Sequence, residues 1–259
     1  MEDPTEAIRL EEKTDVSTTE RLLTKMGLKK GDTVLDAGAG TGAVARVMSK
    51  IVGDNGNVMA LDFSAGRLAH GEGIVKRETL NNICFVQGDL YNLGLVAEKF
   101  DFVWCRFVLE YLDAPLQVVK SLWHVVKPGG LLVLGDLDGN MIFHDGLDLD
   151  LKKMLDRLLE EISVNFDPYI GRKLYRFAYA LSPSKIQTNV ESYHLFAGAA
   201  TERDISNWES KLERVSGIGK DLFGNEDYAR FCRRFVHFLR DQSTFTYSML
   251  ILVSAKKQE

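Results

Sequence analysis

The 259-residue sequence predicts an α/β fold, a doubly wound and mostly parallel sheet covered by helices on both faces. Three observations carry that reading. Between residues 33 and 136, short continuous apolar runs alternate with helix-like runs, the pattern of strands buried on both faces. Thr33 to Gly42, TVLDAGAGTG, reads as a strand, a turn with glycine at every second position and the start of a helix. The chain closes on FTYSMLILVSA, residues 245–255, a long strand that returns to the same sheet.

Taken in order, residues 1–16 are polar, with Ile8 and Leu10 able to pin an arm to the domain. Ser17 and Glu20 have capping-box spacing ahead of Leu22, Leu23 and Met26, and Gly27 follows as a stop, which predicts a short helix. Strands are expected at 33–37, 57–62, 82–86, 100–105 and 131–136. Ala43 to Val52 and Pro115 to Val126 read as helices, the second with Asp113 placed to cap it and proline in its first turn. After Asp136 the rhythm changes. Leu147, Leu151, Met154, Leu155, Leu158, Leu159 and Ile162 share one helical face, and Phe166, Tyr169, Tyr175, Phe177 and Tyr179 follow. That stretch reads as an insertion able to wall a pocket. The chain returns with a strand at 187–196, helices at 202–216 and 227–240, and the last strand. The expected division is an N-terminal arm and helix (1–28), a cofactor-binding core (29–140), a helical, aromatic-rich insertion (141–185) and a part completing the sheet (186–259), all in one domain.

The totals narrow the function. A chain that is 45% hydrophobic can bury one sizeable core. The net charge of −5 is spread along the sequence without a basic block, so nucleic acid is not the expected partner. Cys84, Cys105 and Cys232 have no metal or CxxC spacing, and no apolar run is long enough for a signal peptide or a membrane span. A cytoplasmic protein with reduced thiols is the expectation.

In the glycine turn, Gly38, Gly40 and Gly42 let a ligand approach the backbone, and the helix that follows offers unpaired amides. Plain strand-to-helix punctuation is the alternative at this point. Asp62 ends the second strand, where an acid can accept from a ribose diol, and Asp89 in VQGDL follows the third, placed to accept from an adenine amine or to cap a helix.

VLDAGAGTG, the acid of MALDFS, FVQGDL, the FDFVWCRFVLEYL run and the VVKPGG turn together resemble the successive motifs of class I S-adenosylmethionine (SAM)-dependent methyltransferases, over about residues 30–137. The resemblance implies a Rossmann-like seven-stranded sheet with an antiparallel last strand and SAM across the strand ends. It places the turn of Gly38, Ala39, Gly40 and Gly42 at the methionine part, Asp36 holding that turn or a water near the amino group, Asp62 at the ribose hydroxyls and Asp89 at the adenine amine, with Phe63, Gly88 and Leu90 among the cofactor contacts. Arg106 and Phe107 would border the methyl group. EAIRLEEKTD resembles the arm of bacterial small-molecule members, where it folds over the cofactor, with Arg9 or Thr14 in reach. An NAD(P)-dependent oxidoreductase is the weaker reading, because GxGxG departs from its GxGxxG fingerprint.

The expected activity is methyl transfer by in-line displacement to O, N or C of a small molecule, aromatic ones included, with a SAM-binding module or partner subunit without turnover as the alternative. His144, after the fifth strand, is the candidate catalytic base; its other reading is a loop histidine with no such duty. Glu110, Tyr111, Asp138, Tyr169 and Arg172 are candidate substrate contacts. Alternating acids at Asp136, Asp138 and Asp145 are weak evidence for a metal, and none is expected. Oligomeric state is not legible.

Overall fold

A computed structural model describes residues 7, 9–11, 14–93, 100–164 and 166–259, with residues 140–142 described by their backbone; Ile8 lies outside the described residues. Seven strands form one sheet in the order β3-β2-β1-β4-β5-β7-β6. These are β1 (Thr33–Ala37), β2 (Asn57–Asp62), β3 (Ile83–Gln87), β4 (Phe100–Arg106), β5 (Val126–Asp145), β6 (Lys185–Ala197) and β7 (Phe245–Lys256). β1 to β5 pair in parallel, and β7 runs antiparallel between β5 and β6.

The period of two along the strands sorts side chains into two cores. Val34, Phe102 and Trp104 face one side, while Leu35, Ala37, Val103 and Cys105 face the other. The first side is covered by α1 (Val16–Lys25) through Leu22, Leu23 and Met26 and by α2 (Ala43–Val52) through Val47, Met48 and Val52. α3 (Ala65–Glu78) flanks β2 and β3. The second side is covered by α4 (Pro115–Val125) and the short α6 (Leu174–Tyr179).

A third core lies in a helical cap. α5 (Leu149–Ile162) packs with α7 (Glu202–Arg214), α8 (Ser216–Phe223) and α9 (Asn225–Leu239) around Leu155, Trp208, Tyr228, Phe231 and Phe235. The insertion expected at 141–185 is therefore divided: α5 joins the C-terminal helices in the cap, while α6 packs on the sheet. Its start also moves: residues 143–145 continue β5 and pair with Phe245–Tyr247 of β7 after a register shift following Asp138. The antiparallel partner extends the strand past the point where an apolar run ends.

Two caps differ from the sequence expectation. α1 is capped by Asp15, whose carboxylate accepts from Thr18 N at 2.7 Å, so Ser17 falls inside the first turn. Asp113 does not cap α4: the N-cap is Ala114, its amide donating to the Tyr91 hydroxyl at 3.1 Å, and Pro115 opens the helix.

Because Phe235 is fully buried between Trp208, Phe231 and Phe238, Phe235→Ala is expected to lower stability by about 3–5 kcal/mol, read as a fall in the denaturant midpoint.

Candidate functional site

The strand order turns back between β1 and β4, which places a crevice outside the carboxyl ends of both strands. A cleft of about 850 Å³ occupies it. Its floor is the glycine turn, with Gly38, Gly40 and Gly42 all at positive φ (78°, 58° and 71°). A Cβ on Gly38 would meet Val108 Cγ2 at 2.3 Å, so this glycine is required by space as well as by conformation. Amides of Gly38 and Ala39 both donate to Leu61 O, at 2.8 and 2.9 Å.

Asp62 ties this turn to β2. Its buried carboxylate accepts from Gly40 N at 2.7 Å and from Ser64 N at 2.9 Å, and Arg67 Nη1 stands 3.5 Å away. Each oxygen keeps a lone pair for a ligand donor. At the next strand end, Gly88 N donates to Asp62 O at 3.1 Å, and the Asp89 carboxylate accepts from Tyr91 N at 2.9 Å in a turn. Asp89 is exposed at the rim beside Leu90, with Phe63 across the mouth.

Asp36 lies at the inner end. Burial raises its pKa to about 7, against the pull of Arg106. Burial depresses the Arg106 pKa, while Tyr193, Asp36 and Asp136 hold its charge. The guanidinium sits over the Trp104 ring (5.7 Å) and the Phe107 ring (4.9 Å). Phe107 takes φ 60°, a costly conformation for a side chain of its size, and its amide is held by Gly135 O at 3.0 Å.

Beyond Phe107 the cleft continues to Glu110, Tyr111, Tyr193 and Arg214. Glu110 is almost fully buried and its main-chain oxygen accepts from Asp167 N at 2.8 Å; Tyr111 packs on Phe166 with ring centroids 5.4 Å apart. Arg9, Leu10 and Thr14 of the arm close the other side. Glu11 and Arg46 form an ion pair that holds the arm to α2.

Among the candidates, Asp36, Gly38, Ala39, Gly40, Asp62, Phe63, Gly88, Asp89, Leu90, Arg106, Phe107, Glu110 and Tyr111 meet in this cleft. Gly42 sits just behind it as the N-cap of α2. Four candidates do not. His144 Nδ1 bonds Thr246 Oγ1 at 2.8 Å, and its ring lies edge-on to Trp208, Phe235 and Phe238 inside the cap. Extension of β5 carries it away from the cofactor side. Asp138, Tyr169 and Arg172 satisfy one another: Arg172 Nε and Nη2 bond Asp138 at 2.8 and 3.0 Å, and the guanidinium covers the Tyr169 ring at 4.6 Å. Phe177 is in the sheet core, and Tyr175 stacks on Tyr179 at the surface, so the insertion supplies one ring, Phe166, to the cleft neighbourhood. Sequence reasoning missed Trp104, Tyr193, Arg214 and Arg67. Tyr193 and Arg214 come from β6 and the end of α7, where no local motif marks them; Trp104 was hidden in a strand run. Among the described residues no group of three or more His, Cys, Asp or Glu is arranged to hold a metal ion, and no helix is long and apolar enough to cross a membrane.

Residues 35–134 match the family model described as "Methyltransferase domain". The demethylmenaquinone methyltransferase of Staphylococcus carnosus is 37% identical over 113 residues, which cover 44% of this chain and 46% of that relative. The chain thus spans about half the length of the curated relatives it matches. Likeness in fold reaches further. A candidate methyltransferase from Bacillus halodurans superposes over 94% of this chain and 100% of its own, with a TM-score of 0.63 at 17% identity. Phosphoethanolamine N-methyltransferase 2 of Haemonchus contortus, in complex with SAM, matches over 94% of this chain and 53% of its own, with a TM-score of 0.57 at 16% identity. Residues 35–134 thus match a methyltransferase domain, and the sheet that carries them has the fold of the solved methyltransferases.

Because folding raises the Asp36 pKa from 3.8 to about 7, the folded state binds its proton more tightly than the unfolded state. Stability from this group is thus greatest below about pH 4, falls as pH rises towards 7 and is level above it. Asp36→Asn is expected to remove that fall, on the order of 2–4 kcal/mol, in denaturation of the ligand-free protein across this range. Parallel pH profiles for the two proteins would contradict it.

Proposed function

We propose that this chain is a SAM-dependent methyltransferase acting on O, N or C of a small molecule with a planar or aromatic part. One observation carries the reading: the cleft at the strand ends presents buried polar atoms that nothing in the described protein satisfies. Asp36 Oδ2, Thr41 Oγ1 and Trp104 Nε1 all lie on residues that wall it and have no hydrogen-bond partner. Buried groups of this kind are costly unless a ligand meets them. An aminocarboxylate joined to a nucleoside offers an ammonium, a carboxylate and hydroxyls in the kinds these atoms require, so the residues fit SAM.

In that reading the glycine turn and the first turn of α2 hold the amino-acid end, with Asp36 as the anion for the ammonium. Asp62 holds the ribose hydroxyls and Asp89 the adenine amine. SAM supplies a methyl group already activated as a sulfonium, so the protein's task is mainly to position an acceptor and exclude water. Trp104, Phe107, Tyr111 and Tyr193 provide apolar faces for a flat acceptor, and Glu110 provides a polar handle among them. The demethylmenaquinone in the name of the Staphylococcus relative is a candidate on this ground.

A binding module without turnover would need no second compartment. The continuation of the cleft from Phe107 to Glu110, Tyr193 and Arg214 favours the enzyme. The oxidoreductase alternative gives way to the methyltransferase domain match.

Calorimetry is expected to show binding of SAM and of S-adenosylhomocysteine, weakened in Asp62→Ala by about 1–3 kcal/mol through lost hydrogen bonds. No binding of either ligand would end both the enzyme and the module readings. Labelled methyl from SAM is then expected on at least one member of a panel of quinols, phenols and amines, whereas tight binding with no transfer would favour the module.

A further inference from the structure

At the acceptor end of the cleft, two carboxylic acids face each other, one in the turn after β4 and one on β5 beside the end of β4. Glu110, in the 3-10 turn Leu109–Tyr111, is 6% exposed and lines the cleft; Asp136, on β5, is 0% exposed. Their side chains lie within reach of each other. Leu137 N reaches Asp136 Oδ1 at 3.2 Å, and among the described residues no group donates to Asp136 Oδ2. Two ionised carboxylates do not remain in contact in an apolar interior, because desolvation and mutual repulsion both act against the second charge. One proton between them resolves the contact. Burial and the neighbouring Glu110 both push Asp136 well above the usual carboxylate range, so Asp136 is the member that keeps it.

We propose that Glu110 and Asp136 act as one proton-sharing unit, in which Glu110 takes the proton that the methyl acceptor loses and protonated Asp136 positions it. The role given to the acceptor rests on the methyltransferase reading above; the shared proton does not. The acceptor's bond to hydrogen breaks, its electron pair stays on the acceptor atom, and the proton passes to the Glu110 carboxylate. Both acids are then neutral until product leaves and the proton goes to water. Burial favours that neutral state over the charged one. The surrounding groups are accounted for: Arg106 from β4 attracts Asp136 through space, the Cys105 thiol lies beside it, and the Tyr111 hydroxyl meets Glu110 with Arg9 of the arm nearby. Asp36 stands on the far side of Arg106.

Infrared spectroscopy of the ligand-free protein tests the pair directly. At neutral pH the wild type is expected to show a protonated-carboxyl stretch that Asp136→Asn removes and Glu110→Gln shifts in frequency, with Asp36→Asn used to assign the separate Asp36 signal. Absence of a band sensitive to Asp136→Asn, or one that Glu110→Gln leaves unmoved, overturns the proposal. With an acceptor from the panel, Glu110→Gln is expected to lower kcat by about 10²- to 10⁴-fold and abolish the acidic limb of the pH profile, leaving SAM affinity unchanged. Glu110→Asp should restore part of the rate. Asp136→Asn, which can still donate to Glu110, should retain more activity than Asp136→Leu. Full kcat in Glu110→Gln overturns the catalytic role. A wild type that binds no SAM or transfers no methyl strikes the methyltransferase reading instead, and the infrared result still decides the pair.

Discussion

The contact on which the cofactor half depends is the carboxylate of Asp62, shared between Gly40 N and Ser64 N. It joins the turn after β1 to the start of α3 after β2, so two strand ends hold one rigid concave surface. Turns at positive φ lack the strand ladder that fixes their neighbours, and a buried charged acceptor supplies the missing constraint. In the proposed reading the same anion also receives the ribose. One side chain therefore sets the shape of the pocket and part of its chemistry, and the glycines permit the close approach that makes this useful.

Charge is concentrated along the inner wall in an ordered way. Asp36 on β1, Arg106 on β4, Asp136 on β5 and Glu110 in the turn after β4 lie along it, with little solvent to screen them. The single guanidinium stands between the Asp36 and Asp136 acids and loses part of its own stability as a cation to burial. In such a setting protonation is part of the architecture, because acids that would be ionised at a surface remain neutral or share a charge. A cation arriving beside Asp36 changes the balance at Arg106 and, through it, at Asp136.

Legibility from sequence followed the range of the forces involved. β1 and β2 begin and end where the apolar runs do, and the cofactor candidates at successive strand ends meet in the cleft, because each depends on a few neighbouring residues and on parallel pairing. His144, Asp138, Tyr169 and Arg172 were legible as polar residues after a strand, yet their partners were not. Thr246 lies 102 residues from His144, and Arg172 lies 34 from Asp138. Without those partners a satisfied side chain and a waiting one look alike. Tyr193 and Arg214 were missed for the converse reason: they enter the cleft because β6 and α7 are brought back to it by antiparallel pairing through β7 and by the cap's packing. The misplaced caps have smaller causes: at α1 two polar residues near the start can serve and a shift of two residues selects Asp15 over Ser17, while at α4 Pro115 opens the helix behind Ala114 without a side-chain cap.

The long β5–β7–β6 ribbon bears a cap whose buried core is separate from the two cores of the sheet. Sequence likeness to the Staphylococcus relative covers less than half of the chain, while likeness in backbone to solved structures covers nearly all of it. A unit with its own interior can accumulate substitutions without disturbing the layer beneath. The ribbon therefore acts as a mounting, on which the cap can be remodelled while the sheet beneath stays as it was.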